Sequence, residues 1–331
     1  MKYRNLGHGL KVSAIGIGCM PMIKGGNILY GDQADPNEAI KTIHKAIDLG
    51  VTFFDSAQIY GPFSNEELVG GAIKGRRDNL VIATKFGFKI TDGVPVGVDG
   101  SPENAKSTVE GCLKRLGIDC IDLYYQHRVD PNVPIEETVG AMADLIKEGK
   151  IKHIGLSEAG PATLARAVAV APITALQSEY SLWERDIETD ILSMCREHNI
   201  GFVPYSPLGR GFLTGQIKSF DELSKKDWRR SDPRFGPENF AANMKIVDGV
   251  AAVAARHGVS NAQIALAWLL AQGEDIVPIP GTKRRVTMED SIAAVSVELS
   301  PEDLDKLNRA APVGQTSGPR YGERGMNMVR L

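Results

Sequence analysis

Short apolar, β-prone runs recur along the chain, and most are followed by a turn signal and a stretch with helical spacing of apolar residues. Eight such runs can be read, at residues 15–18, 51–54, 80–84, 121–126, 151–157, 173–177, 200–205 and 275–280. Between them the pattern predicts helices. One covers about 36–49, with Asp35 as its cap and Ile40, Ile43, Ala46 and Ile47 as its apolar stripe. Others start after a polar cap near Ser64 and at Ser101-Pro102-Glu103, the latter running to about Leu116. Further helices are expected at about 135–147, 162–170, 188–198, 240–257 and 261–270, then from about Arg284 and at Ser300-Pro301. The first residues read as a hairpin turned at Gly7 to Gly9 that plugs the floor of the fold. Eight strands alternating with helices imply a (β/α)8 barrel, a TIM barrel with a β-hairpin plug and extra C-terminal helices.

The rhythm breaks once, in the Gly- and Pro-marked stretch from Ser206 to Phe240. Long connections in compact domains usually serve as lids or clamps. No linker splits the chain, so residues 1–331 are expected to form one barrel domain with an irregular tail over 311–331. The net charge of -3, without a basic stripe, gives no reason to expect nucleic acid. The start lacks the apolar core and cleavage site of a signal peptide, and no apolar run is long enough to span a membrane. The four cysteines show no C-x-x-C spacing and read as reduced thiols in a cytoplasmic protein, without structural metal.

In a parallel barrel, residues at the carboxyl ends of neighbouring strands meet at one mouth. Asp55, Lys85 and His127 each end a strand run, and Tyr60 follows Asp55 in the next loop. A carboxylate, a phenol, an amine and an imidazole there suit proton transfer to an oxygen while something else attacks carbon. Tyr60 is the candidate acid: an ammonium at Lys85 would lower its pKa, and Asp55 would hold Lys85 charged. His127 could donate to a substrate carbonyl. Any one of these residues alone is more often structural; their joint placement is what points to catalysis.

None of the four delivers a hydride, so a cofactor is needed. The Rossmann fingerprint is absent, because Gly16 to Pro21 lacks the third glycine and the later acid. The loop from Tyr205 to Gly215 offers flexible amides for a pyrophosphate. Lys283, Arg284 and Arg285 open a helix, which makes a phosphate site or, equally on composition, a solvated face.

The motifs FFDSAQIYG, ATK, YYQH, GKIKHIGLSE, LQSEYSLWERDIE, PYSPLGRGFLTG and PIPGTKRR resemble the aldo-keto reductase superfamily over about residues 2–309. The stretch DWRRSDPRFGPENF and the GPRYGER tail are similar to its bacterial and plant auxin-induced-like branch. The resemblance implies NADPH-dependent reduction of aldehydes and ketones on a barrel, with Asp55, Tyr60, Lys85 and His127 as the tetrad. It implies that Ser157 and Gln177 bind the nicotinamide carboxamide and that Tyr180 stacks on the ring. Ser206, Leu208, Gly209 and Gly211 would form the pyrophosphate loop. Lys283 with Arg284 or Arg285 would take the 2'-phosphate, and Glu289 the adenine.

The chain departs from the family pattern at Glu158 and Asp290, where asparagine is frequent. Two rivals stay open: a Schiff-base lyase using Lys85, and a non-catalytic partner resembling channel β-subunits. The partner expected is a small carbonyl substrate, against a wall drawn from Met20, Met22, Ile23, Tyr30, Ile59 and Phe86, with Trp183 either near the pocket or in packing.

Overall fold

The computed structural model describes residues 1–23 and 35–331, so Tyr30 lies outside the described residues. Seven strands form one parallel sheet: β1 (Ile17–Gly18), β2 (Phe53–Asp55), β3 (Val81–Phe86), β4 (Ile121–Gln126), β5 (Ile151–Ser157), β6 (Ile173–Glu179) and β7 (Gly201–Tyr205). The eighth expected strand closes the ring without a regular ladder. Ile276 bridges Phe202 on β7, and Gly281 bridges Gly18 on β1. Pro278 and Pro280 accept from Gly16 and Gly18 at 3.0 and 3.1 Å but have no N–H to donate. The barrel is therefore complete in space, although its last stave is broken by two prolines.

Helices wrap it: α1 (Pro36–Asp48), α2 (Ser64–Ile73), α3 (Pro102–Leu116), α4 (Ile135–Lys147), α5 (Pro161–Val168), α6 (Ile191–Glu197), α7 (Pro237–His257), α8 (Asn261–Leu270), α9 (Arg285–Ala293) and α10 (Pro301–Ala310). Two caps fall where expected, whereas α2 begins at Ser64 itself, after Phe63, with no side-chain cap. Asp35 accepts from the Asn37 amide at 2.9 Å, and Ser101 from the Asn104 amide at 3.2 Å. Apolar residues of the sheet's outer face and the helices form the main core, with Phe54, Ile82, Tyr124, Ile154 and Leu176 facing Ile43, Val109, Met142 and Trp268.

The inside of the barrel has its own core of Phe53, Val81, Ala83, Leu123, Tyr125, Ala175, Val203, Val277 and Ile279. Leu6, Leu10 and Val12 from the N-terminal hairpin (Tyr3–Leu6 with Leu10–Ser13) join it and seal the floor. Gly155 is required here, since a Cβ would lie 2.3 Å from the Tyr125 ring. A second hairpin, Phe88–Thr91 with Val94–Val98, rises after β3 and has no counterpart in the sequence reading. The long stretch after β7 is not a plain loop. It is a series of 3-10 turns, Gly209–Thr214, Phe220–Glu222, Trp228–Ser231 and Pro233–Phe235.

Candidate active site

Strand periodicity carries the interior residues up to the mouth. Successive side chains alternate between faces, so residues two apart share one. Phe53 leads to Asp55, Val81 and Ala83 to Lys85, and Leu123 and Tyr125 to His127. The same count takes Gly155 to Ser157, Ala175 to Gln177 and Val203 to Tyr205. The register holds neighbouring strands level: Asp55 pairs with Ala83, Lys85 with Tyr125 and Gln177 with Val203.

Five of the expected residues converge. The Lys85 ammonium is fully buried and ion-paired to Asp55. It also donates to the Ser56 carbonyl at 2.8 Å and to the Tyr60 hydroxyl at 3.4 Å. Gln177 donates to the second Asp55 oxygen at 2.9 Å. Burial acts to lower the Lys85 pKa, but Asp55 and Tyr60 outweigh it and the net shift is upward. Lys85 is thus a fixed cation rather than a free amine, which removes the basis for a Schiff base. Burial raises the Tyr60 pKa, and the Lys85 charge opposes that rise. The phenol therefore keeps its proton at neutral pH with a cation beside its oxygen. Burial pushes His127 well below its ordinary range, and Lys85 and Arg128 push the same way. Its ring is neutral, 5.8 Å from the Tyr60 ring and edge-on to it, and Nδ1 is buried without a hydrogen-bond partner among the described residues. Phe88, from the unexpected hairpin, packs edge-on to His127 at 5.0 Å.

A cavity of about 750 Å3 starts at these groups and runs outward. Asp55, Tyr60, His127, Ser157, Gln177 and Tyr205 line its inner end. Ser206, Leu208, Arg210 and Gly211 line its middle, and Thr282, Lys283, Arg284, Thr287 and Ser291 its outer end. An acid at one end, a glycine-rich turn between and two cations beside hydroxyls at the other fit a phosphorylated dinucleotide. Ser206 and Arg210 are non-glycine residues with φ of 48° and 57°, a strain typical of functional loops. Gly209 does not line the cavity. Its φ is 56°, and a Cβ there would meet the Trp183 ring at 2.7 Å, so it shapes the loop from behind.

Three expected contacts lie elsewhere. Tyr180 is on the opposite parity from Gln177, so its ring turns outward against Trp268 and Phe202, and its hydroxyl donates to Glu188 at 2.9 Å. Tyr205 is the aromatic residue at the inner end, and the alternation through Val203 was the signal that marks it. Arg285 faces α1, where its Nε and Nη2 donate to Glu38 at 3.0 and 3.1 Å. Glu289 pairs with Lys45 at 3.7 Å and does not line the cavity. Asp290 receives Ser260 and Gln263 at 2.8 and 2.6 Å, securing the start of α8. Of the expected wall, Met20 reaches the cavity, whereas Met22 and Phe86 are in the outer core. Trp183 is packing: it stacks on Phe212 at 4.2 Å under Arg234.

Behind Tyr205 lies a buried ionic network that includes Glu158. This residue has a φ of 56° and is fully buried. It accepts from the Tyr205 hydroxyl at 2.8 Å and from the Arg320 guanidinium at 3.0 and 3.2 Å. Tyr321 shares a hydrogen bond of 2.9 Å with the Tyr205 hydroxyl and lines the cavity. Arg210 pairs with Asp232 and Glu179, and its guanidinium lies 4.6 Å from the Tyr321 ring centre. The tail, irregular apart from a short helix at Glu323–Met326, is therefore part of the mouth. An asparagine at 158 could not offer Arg320 two carboxylate oxygens.

The family model "Aldo/keto reductase family" matches residues 14–312. "Probable aldo-keto reductase 1" from Glycine max is 47% identical over 314 residues, spanning 95% of this chain and 89% of that protein. Among solved structures, a glycerol dehydrogenase from Gluconobacter oxydans superposes with a TM-score of 0.84 at 29% identity, covering 94% of this chain and 96% of the other. A thermostable aldo-keto reductase solved with the inhibitor epalrestat gives 0.75 at 30% identity, covering 94% and 100%.

Proposed function

The chain belongs to the aldo/keto reductase family and is an oxidoreductase that reduces carbonyl compounds with NADPH; on that premise we propose that Tyr60 is its acid and that it prefers NADPH to NADH. The observation that carries this reading is the single cavity linking Tyr60 and His127 to Lys283 and Arg284.

When bound, the reduced nicotinamide supplies a hydride to the carbonyl carbon. The residues of the chain manage the oxygen. His127, neutral and lining the cavity beside Tyr60, donates one N–H to the carbonyl oxygen and orients it. Tyr60 gives its proton to that oxygen as negative charge builds there. Lys85 stabilises the phenolate left behind, and Asp55 with the Ser56 carbonyl fixes the ammonium. In alcohol oxidation the same phenolate acts as base. Ser157 and Gln177 would hold the carboxamide edge of the nicotinamide, with Tyr205 beside its ring. Ser206, Leu208 and Gly211 would hold the pyrophosphate, and Lys283 and Arg284 the 2'-phosphate. Residues 1–331 act as one barrel domain.

Tyr60→Phe tests the acid. It should lower aldehyde reduction by about 10²–10⁴-fold, while NADPH still binds, as followed by fluorescence titration. Turnover near that of the unmodified protein would overturn the assignment.

A further inference from the structure

Arg128 follows His127 directly and lines the same inner end of the cavity. One of its nitrogens, Nη1, donates to the His127 carbonyl at 2.7 Å and to the Ser157 hydroxyl at 3.2 Å. Its guanidinium lies 6.0 Å from the Tyr205 ring centre. Among the described residues it forms no ion pair with a carboxylate, and no hydrogen bond is made by its Nε or Nη2. The other cations on the inner and middle cavity are matched. Arg210 has Glu179 and Asp232, Arg229 has Asp227, and Lys85, just beneath, has Asp55. The carboxylate whose field reaches Arg128 is Glu158, and that carboxylate is already engaged by both ends of the Arg320 fork.

A guanidinium in a partly enclosed site with no carboxylate bound to it directly is open to pairing with an anion that arrives. Its charge is felt at the Tyr60 hydroxyl and at His127, so it sits beside the place where the carbonyl must lie. The reduced nicotinamide ring is neutral and offers it no anion. We propose that Arg128 is a specificity-determining anchor for a carboxylate on the substrate, so that the preferred substrates are oxo acids and carboxylated aldehydes. Nε and Nη2 present two parallel N–H groups, the geometry that receives both oxygens of a carboxylate. Trp228 and Tyr321 give the intervening carbon skeleton an aromatic wall.

The proposal deepens the carbonyl-reductase reading and rests on it, so its test must separate the two. The probes are 4-carboxybenzaldehyde and its methyl ester, which carry the same aldehyde and differ in charge. Succinic semialdehyde and butanal form a second, aliphatic pair. In the unmodified protein the acid should exceed its neutral partner in kcat/KM, mostly through KM. In Arg128→Met that ratio should fall by about 10- to 100-fold, the loss expected for a charge-assisted pair, whatever happens to the absolute rates. Arg128→Lys should recover part of the ratio. Benzoate should compete with the ester in the unmodified protein and lose that competition in Arg128→Met. If acid and ester fall together in the variant, or the unmodified protein favours the ester, the anchor is wrong although the reductase reading stands. If none of the four compounds consumes NADPH, both readings fail together.

Discussion

Replacing Lys85 by Met tests the centre of the mechanism through two independent readouts. The ammonium is fully buried, and its partner Asp55 is 2% exposed. Removing the cation leaves Asp55 buried with Gln177 as its remaining side-chain donor. Breaking a buried pair from one side costs about 3–5 kcal/mol, read as a lower denaturation midpoint in urea. The acid also suffers. Burial already raises the Tyr60 pKa, and Lys85 is what opposes it. Without that charge the phenolate left after proton donation is unsupported, so reduction should drop by about 10²–10⁴-fold. Alcohol oxidation needs the phenolate first, so its pH profile should move to higher pH. The double variant Asp55→Asn, Lys85→Met removes both charges and should regain most of the lost stability while remaining inactive. Stability and rate would then be uncoupled. A single variant as stable as the parent refutes the buried pair. An unshifted oxidation profile refutes the electrostatic role of Lys85.

Other expectations follow from the same geometry. Lys283→Ala with Arg284→Ala should raise the KM for NADPH by about 10-fold or more and leave that for NADH nearly unchanged, since each charge-assisted phosphate contact is worth about 1.5–3 kcal/mol. Arg285→Ala should do far less, because its guanidinium is engaged with Glu38; equal effects of the three would restore the sequence-based expectation. Arg320→Ala strands the Glu158 carboxylate and frees the Tyr205 hydroxyl's neighbour, so both thermal stability and NADPH affinity should fall, and Arg320→Lys should recover only part of either. His127 has a folded pKa well below 6.5. Between that lowered value and 6.5 the unfolded chain holds a proton that the folded chain lacks, so stability falls as pH falls, by up to about 1.4 kcal/mol per pH unit. His127→Asn should flatten that slope in denaturation series at stepped pH.

The strands and helices were legible because their signals are local. Asp35 and Ser101 announce helix starts, and the tetrad residues sit where apolar runs stop. What was missed depends on parity or on distant partners. Resemblance put the stacking ring at Tyr180, whereas counting by twos from Ala175 sends that side chain outward and brings Tyr205 inward. The basic run at 283–285 looks uniform in sequence, yet the helix start turns Lys283 and Arg284 to the cavity and Arg285 to Glu38 on α1. The tail's place at the mouth was hidden because nothing near Arg320 shows that its partner is Glu158, 162 residues earlier. The hairpin bearing Phe88 is made of two short strands, FKIT and VPVGV, the second carrying Pro95 and Gly97, and its Asp92-Gly93 turn was the signal that could have marked it.

The link between Glu158 and Arg320 also orders events during synthesis. Translation delivers the strand end carrying Glu158 long before it delivers Arg320. Until then, a barrel closing around β5 would trap a carboxylate that has no cation of its own. The mouth can therefore assemble fully only after Arg320 has emerged, and an enzyme interrupted before it should be released with its cofactor chamber unfinished. A nascent chain paused between these two residues would carry a barrel wall without its ionic network, which ties the first appearance of activity to the emergence of Arg320.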